Sequence, residues 1–241
     1  MDMAIDVQHQ AMGYDRTATM FSPEGHLLQV EYAEKTVRLG SASVGMVCVD
    51  GVLIIADKRI KDKLIVKKSA SKVHEIDSHI IASAAGITAD ARVLIEKAQL
   101  ICQQSRLTYD SPIEPEMVIK ELSNMKQQFT QYGGARPFGV AMMLAGIPEG
   151  AKTGELFVSD VTGNYFSYHA NAIGDNDDKI KEKLREKYKK DLTIKQGVKL
   201  AIEIFKEIKE KNFDIDDFEL VYIEDKNAKL KRLEGKEINE L

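Results

Sequence analysis

The sequence lacks any uninterrupted run of about 18 apolar residues, which is the length that a membrane-spanning helix requires. Its first thirteen residues also lack the basic start and the apolar stretch of a secretory signal, and this favours a cytoplasmic location. Cysteine is scarce: only Cys48 and Cys102 occur, and each lies in an apolar stretch. We therefore expect two reduced core thiols and no disulfide framework.

Charge of one sign is not in large excess either. The formal net charge is -4 at pH 7, which gives no indication of nucleic-acid binding, because that activity usually shows as a strongly basic face. Hydrophobic residues make up 44% and charged residues 30% of the chain, so we expect a folded globular protein and not a disordered one. No linker of low complexity and no internal repeat divides the chain, and we interpret it as one domain.

The common motifs of cofactor and metal chemistry are missing. Neither a phosphate-binding G-x-x-x-x-G-K-[ST] loop nor a dinucleotide-binding G-x-G-x-x-G turn occurs, so no cofactor is predicted. The five histidines show no H-E-x-x-H or other metal-ligand spacing, so no metal site is predicted. There is also no G-x-S-x-G elbow, and neither cysteine lies in a polar context that would favour a thiolate.

What the sequence does contain is a grouped arrangement of strands and paired helices. Asp50-Gly51 joins two β-rich runs as a hairpin turn, and a second pair of runs flanks Asp77-Ser78. Several of these runs are apolar at nearly every position, which predicts strands covered on both faces. Strands are predicted at 41–49, 52–57, 72–76, 79–85, 137–147, 155–161, 164–173 and 218–225.

Helices are expected in a first single segment and then in two pairs. Ser22-Pro23-Glu24 resembles a helix start, with a capping hydroxyl and a proline in the first turn, and Gly40 is a suitable end. Thr88 is a candidate cap for the next helix. Helices are predicted at 26–40, after the start signal at Ser22, and at 89–105, 115–132, 176–189 and 193–211, and the charged tail from Asn227 is expected to fray or to form a short helix.

This order does not match alternating βαβ units. Strands buried on both faces, together with helix pairs to cover them, predict two sheets packed against each other between helical layers. The fold class is therefore α/β in the broad sense (α+β).

Residues Tyr14 to Gly51 resemble the signature of the alpha-type subunits of proteasomes. Tyr-Asp-Arg, Phe-Ser-Pro-x-Gly, Leu-x-Gln-Val-Glu-Tyr-Ala and Gly-Ser-x-x-x-Gly occur together in the order of that signature. Two later segments, TADARVLIEKAQ and QYGGARPFGVAMMLAGI, agree with it. The resemblance extends over roughly residues 8–235, and it implies a four-layer αββα sandwich related to the N-terminal nucleophile hydrolases.

The resemblance also implies that the chain is not itself catalytic. In the catalytic beta-type relatives a threonine freed by processing is the nucleophile, its own α-amine serves as base, and an Asp and a Lys support it. The corresponding positions here are Ser41, Asp57 and Lys72. Ser41 follows forty residues, so its nitrogen is an amide and cannot act as a base. Two alternatives stay open: a hydrolase activated by cleavage after Gly40, and an assembly factor that joins rings transiently.

Three roles follow from the resemblance. The first is assembly: the helix HLLQVEYAEKTVRL would pack against neighbouring copies in a seven-membered ring, and two such rings would cap two rings of beta subunits. The second is a gate. Residues 1–13 would be a mobile segment that fills the axial pore ahead of a domain at 14–241. In the open form, Tyr14 and Asp15 of the Tyr14-Asp15-Arg16 motif would cluster with Pro23 and Tyr32.

The third implied role is docking of a regulatory AAA ATPase of the proteasome-activating nucleotidase type. Lys72 would bind the terminal carboxylate of an ATPase tail, Gly86 with Ile87 would form the pocket floor, and Glu31 would lie near the lysine. Unfolded proteins would then pass through the ring. The plain alternative for Lys72 is a solvated surface lysine. Arg136 would fix a loop near the gate, and its plain alternative is a surface ion pair worth less than about 1 kcal/mol.

Overall fold

The computed structural model describes residues 12–60, 62, 64–225 and 229–241. Within these residues the α-helices are α1 (Leu28–Leu39), α2 (Thr88–Tyr109), α3 (Pro115–Phe129), α4 (Asp177–Lys187) and α5 (Ile194–Lys209). The strands are β1 (Ser43–Cys48), β2 (Gly51–Asp57), β3 (Val73–Asp77), β4 (Ile80–Gly86), β5 (Val140–Gly146), β6 (Glu155–Ser159), β7 (Tyr165–Ser167), β8 (Ala170–Ile173), β9 (Phe218–Glu224) and β10 (Lys229–Glu234). Short 3₁₀ segments occur at Lys67–Ala70, Glu210–Asn212, Ile215–Asp217 and Gly235–Glu240.

The strands form two five-stranded antiparallel sheets. The first sheet has the order β10-β9-β2-β1-β8, and the second sheet has the order β3-β4-β5-β6-β7. The first hairpin turns at Asp50-Gly51 as predicted, with Val44 opposite Ile55. The second hairpin turns between Asp77 and Ile80, also as predicted.

Side chains alternate between two apolar layers along the central strands. On β2, Leu53 and Ile55 face the cluster under α4 and α5, whereas Val52 and Ile54 enter the cluster between the two sheets. All seven residues of β2 are buried, which accounts for the apolar run without a period of two. A third cluster lies between the second sheet and the pair α2 and α3. The layers therefore run helix pair, sheet, sheet, helix pair, and the predicted four-layer αββα sandwich is confirmed.

One predicted strand is in fact two. The segment 164–173 divides into β7 at the edge of the second sheet and β8 at the edge of the first. The chain crosses between the sheets at Tyr168, whose N–H donates to the Leu156 carbonyl, and at His169, whose carbonyl accepts from the Val47 N–H. Apolar periodicity does not mark this crossing, because both halves pack against the same sandwich.

The first helix begins at Leu28, so the predicted start signal at Ser22 is wrong. Ser22 instead closes a turn: its N–H donates to the His26 carbonyl at 2.9 Å, and its Oγ accepts from the His26 N–H at 3.1 Å. Gly25 in this turn has φ +85°, a conformation that favours glycine. A proline and a hydroxyl therefore fit the turn as well as they would fit a helix start.

Two further sequence predictions are corrected. Thr88 does not cap α2; it is the first helical residue, the N-cap position is Ile87, and no side chain caps this end. The charged tail first forms β10, which pairs with β9 along its whole length, and only its last residues form the expected short helix, at Gly235–Glu240. Its charges are compatible with an edge strand, where polar side chains reach solvent, and they hide the strand from an apolar pattern.

The two cysteines are buried and free, as expected. Cys48 lies in the cluster under α5, and Cys102 lies in the cluster between α2, α3 and the second sheet. Burial raises the pKa of each thiol to about 12, so neither is a reactive thiolate. Among the described residues, no helix is both long and apolar enough to cross a membrane.

Candidate functional site

Lys72 lies immediately before β3 and lines a cavity of about 400 Å³. Its ammonium nitrogen donates to the carbonyl oxygen of Ser41, and to Ser41 Oγ at 2.6 Å. Burial lowers the pKa of Lys72 to about 7, although the negative charge of Asp57 opposes this shift. Lys72 is thus half-buried and hydrogen-bonded, so its plain alternative, a solvated surface lysine, is wrong. A larger cavity of about 530 Å³ lies between β8 and α4 and holds none of the predicted site residues.

The carboxylates whose charges act on Lys72 are bound to other groups. Asp57 is almost fully buried and accepts from Lys209 at 2.8 Å and from the Arg59 N–H at 2.9 Å. Asp175 lies 2.5 Å from the guanidinium of Arg59. Within the described part of the chain, the Lys72 nitrogen therefore contacts only neutral oxygens of Ser41.

Glu219 on β9 anchors the segment that carries Lys72. Its side chain is fully buried, and it accepts from the backbone N–H groups of Lys72 and Val73, the latter at 2.6 Å. Ser71 Oγ and Arg232 also donate to it, each at 2.8 Å. A buried carboxylate is stable only when its acceptors are satisfied, and four donors meet that need here. This group ties the start of β3 to the first sheet and so fixes the backbone that carries Lys72.

Gly86 lines the same cavity, at the end of β4. Its φ is +128°, and a Cβ at this position would lie 2.1 Å from the Gly139 carbonyl oxygen. The backbones approach equally closely at Gly40, where a Cβ would lie 2.4 Å from the Gly86 nitrogen. Ile87 does not line the cavity; its N–H donates to the Gly139 carbonyl at 2.9 Å, and its side chain packs over Gly139.

Ser41 is an internal residue shortly after α1. Its predecessor Gly40 donates to the Val37 carbonyl at 3.1 Å and accepts from the Asp175 N–H at 2.7 Å. The residues of α1 are thus joined to Ser41 through Gly40, whereas a processed nucleophile would have a free amino group at this position. Ser41 Oγ has an amine beside it in Lys72, but its own nitrogen is an amide.

The Tyr-Asp-Arg motif is attached to α1. Tyr14 and Asp15 are half-buried, while Arg16 is exposed. The Asp15 carbonyl accepts from the side-chain amide of Gln29 at 2.5 Å, and the Arg16 N–H donates to the Gly13 carbonyl at 3.2 Å. The motif therefore has a fixed point on the helix that follows it.

The other predicted gate and docking residues occupy the same helix and the turn before it. Pro23 is exposed, and Tyr32 is half-buried with the Lys35 ammonium 5.3 Å from its ring centre. Glu31 lies 2.5 Å from Nδ1 of His26. Glu31 is not among the residues lining the Lys72 cavity, so one chain by itself does not bring these two together.

Sequence comparisons agree with this geometry. A family model described as "Proteasome subunit" matches residues 37–223, and a second model, for the N-terminal signature of type-A proteasome subunits, matches residues 14–35. The chain belongs to the proteasome alpha-subunit family. It is 41% identical over 226 residues to the alpha subunit of the Thermococcus sibiricus proteasome, covering 94% of this chain and 85% of the relative. It is also 39% identical over 231 residues to the alpha subunit of the Methanothermobacter thermautotrophicus proteasome, covering 96% and 92%.

Arg136 of this alpha subunit makes more than a simple surface contact. Its two terminal nitrogens donate to both oxygens of Asp90, at 2.6 and 2.7 Å, and Asp90 also accepts from the Gly139 N–H at 3.0 Å. Asp90 is buried in the first turn of α2, and the hydrogen bond from Arg136 holds its pKa below the usual range. The pair joins the start of α2 to the loop before β5.

Several residues of this region were missed by sequence reasoning. Gln29 stands inside the quoted signature, which was a signal, although its bond to Asp15 was not foreseen. Glu219 and Arg232 gave no signal, because each meets the segment that carries Lys72 only across about 150 residues of chain. Lys209 likewise reaches Asp57 only through the packing of α5 on the first sheet.

Proposed function

We propose that this alpha subunit is a non-catalytic component that forms the outer seven-membered ring of the 20S proteasome core, on rings of beta subunits. Residues 14–241 form the ring-building domain, and residues 1–13 form the gate. The ring admits unfolded proteins when a regulatory ATPase docks. Of the gate segment, residues 1–11 lie outside the described residues.

The observation that carries the docking role is the position of Lys72 in an open, polar cavity. A carboxylate that enters this cavity meets an amine whose acidic neighbours are already bound to other groups. Protonated Lys72 would therefore be available as a point charge for the terminal carboxylate of a tail. Gly86, which has no side chain, leaves room for the tail backbone beside it.

The gate role is supported by the attachment of the Tyr-Asp-Arg motif to α1. Because Gln29 holds the Asp15 carbonyl, a rearrangement of α1 would be transmitted to the residues before Tyr14. The loop is held at one point. Tyr14 lies within it, exposed Pro23 lies in the turn before α1, and Tyr32 lies on α1. This arrangement suits a segment with two packing states. Clustering of Tyr14, Asp15, Pro23 and Tyr32 in the open state is part of this proposal.

The test combines the chain with its beta-type partner and measures hydrolysis of a fluorogenic peptide. A peptide that copies an ATPase tail, ending in a hydrophobic residue, a tyrosine and a final residue with a free carboxylate, should raise the rate. The same peptide with an amidated end should not, because it offers Lys72 no charge. Lys72→Ala should abolish the stimulation, whereas Lys199→Ala, at an exposed lysine on α5, should retain it.

Deletion of residues 2–13 tests the gate separately. It should raise the basal rate and remove further stimulation by the tail peptide, with native mass still that of an assembled core. Peptidase activity of the chain alone, shortened to begin at Ser41, would instead support the hydrolase alternative. A chain that fails to remain with the beta rings would support the transient assembly factor.

A further inference from the structure

Lys72 is not ion-paired within the described part of the chain, so its amine can exchange between a protonated form that would hold a carboxylate and a neutral form. Its nitrogen contacts the carbonyl and hydroxyl oxygens of Ser41, and no carboxylate within the described part of the chain lies in contact with it. A buried amine without an opposite charge loses its proton readily, because burial disfavours the charged form. A neutral amine is a nucleophile.

The charged groups around this amine come from several elements. The acids are Asp57 on β2, Glu219 on β9 and Asp175 before α4, and the cation whose charge opposes them is Arg59. Each acid is bound elsewhere: Asp57 to Lys209, Asp175 to Arg59, and Glu219 to Arg232. His74 and Lys58 also line the cavity; burial lowers the pKa of His74, and Lys58 is paired with Glu234 at 2.8 Å.

Access separates Lys72 from Lys126 on α3, a lysine whose pKa is lowered by burial in the same way. Lys126 has no exposed surface, and its nitrogen donates to the Asp160 carbonyl at 2.8 Å and to the Ser159 carbonyl at 3.3 Å. None of the five main cavities among the described residues includes Lys126, whereas the Lys72 cavity, at about 400 Å³, is large enough for a small reagent.

We propose that Lys72 is a modification site that takes acyl groups from small activated acyl donors of the acyl phosphate class. Modification converts the amine into a neutral amide and fills part of the cavity. Its consequence for tail docking rests on the proposed function; the acylation itself does not.

The acyl transfer needs no reactant besides the amine and the acyl phosphate. The lone pair of Lys72 Nζ attacks the acyl carbonyl carbon and forms the C–N bond, while the bond from carbon to the phosphate oxygen breaks. The phosphate leaves with that electron pair. The proton lost from nitrogen passes to solvent, and Ser41 Oγ, 2.6 Å away, is placed to accept a hydrogen bond from the amine during the step.

The experiment treats the assembled core of alpha and beta subunits with acetyl phosphate and follows each lysine by mass spectrometry. At about pH 7.5, Lys72 should acetylate roughly 10-fold faster than exposed Lys199, because far more of it is neutral, even after allowance for its weaker basicity. Its rate should level off above about pH 7, while that of Lys199 continues to rise toward about pH 10. Lys126 should remain unmodified in the folded core and become modified after denaturation.

An equal or slower rate at Lys72 than at Lys199, or a rate that rises to about pH 10, would overturn the inference. The tail peptide gives an independent readout. If acetylation occurs and stimulation survives, the modification site stands and the docking role of Lys72 fails. If Lys72→Ala removes stimulation but Lys72 resists acetylation, docking stands and this inference fails.

Discussion

Half-buried Lys72 and fully buried Lys126 have the same direction of pKa shift and two different surroundings. Burial lowers the pKa of each to about 7. Lys72 lines an open cavity and contacts Ser41, whereas Lys126 is sealed between α3 and the end of β6. The same loss of hydration therefore leaves one amine open to ligands and makes the other an internal hydrogen-bond donor.

The difference lies in what surrounds each nitrogen. Lys126 satisfies the carbonyls of Ser159 and Asp160, and the Asp160 carboxylate is occupied by the turn that contains Thr162 and Asn164. Lys126 thus connects α3 to the turn after β6 by hydrogen bonds. Among the described residues, the Lys72 side-chain nitrogen donates to Ser41, and Lys72 also lines the cavity.

The largest expected effect comes from Glu219, which anchors the segment that carries Lys72. Glu219→Ala should lower the free energy of unfolding by about 3–5 kcal/mol, because it leaves Arg232 and two buried backbone donors without their acceptor. Urea denaturation at fixed protein concentration measures this. Glu182→Ala, at an exposed position on α4, should change the free energy of unfolding by less than about 0.5 kcal/mol. An equally small effect at Glu219 would mean that other contacts hold the segment that carries Lys72.

Truncation of the two lysines should lower the free energy of unfolding by unequal amounts. Lys126→Ala should lower the free energy of unfolding by about 2–4 kcal/mol, because it opens a cavity and leaves the Ser159 and Asp160 carbonyls unsatisfied. Lys72→Ala should cost less than about 1 kcal/mol, because solvent can enter its cavity and satisfy Ser41. Equal losses in urea denaturation would remove the distinction between a sealed lysine and an open one.

The pH dependence of stability gives a smaller and more specific test. Between about pH 7 and the ordinary pKa of lysine, the unfolded chain holds a proton that folded Lys126 lacks, so stability rises with pH in this window. Below about pH 7 both states are protonated, and the full cost of a buried cation is present. Lys126→Met should reduce the slope by about 1 kcal/mol per pH unit. An unchanged slope between about pH 7 and 9 would mean that Lys126 stays charged in the fold.

The pair of Arg136 and Asp90 gives the smallest expected effect, because the arginine side chain is 58% exposed. Arg136→Lys keeps the charge but loses the two-point contact, and it should lower stability by about 1 kcal/mol. Because the pKa of Asp90 is lowered, this contribution is present above the ordinary Asp pKa and is lost as pH falls below it. Thermal unfolding near neutral pH and in acid should show the difference shrinking in acid; a constant difference would contradict an ionic role.

The sequence predicted local structure well where one pattern dominated. The hairpin at Asp50-Gly51 and the stripe of Val118 and Leu122 on α3 depend on neighbours within a few residues. The prediction failed at Ser22, where the same residues fit both a turn and a helix start. It also failed at β10, where charged side chains hid a strand. Sequence also named Lys72 and Gly86, which line one cavity, but only through the family signature; the docking roles of Ile87 and Glu31, which do not line it, stay predictions.

By itself, the sequence determined the family, the layered α/β fold and the amide bond that joins Ser41 to Gly40 in the full-length chain. These depend on residue order, on apolar periodicity and on covalent structure, all of which are local. Only the tertiary structure decided that Asp57 pairs with Lys209, that Glu219 holds the Lys72 segment, and that Lys126 is sealed while Lys72 is open. Ion pairing and burial depend on which distant segments meet, and packing of two sheets brings together residues that no local pattern connects.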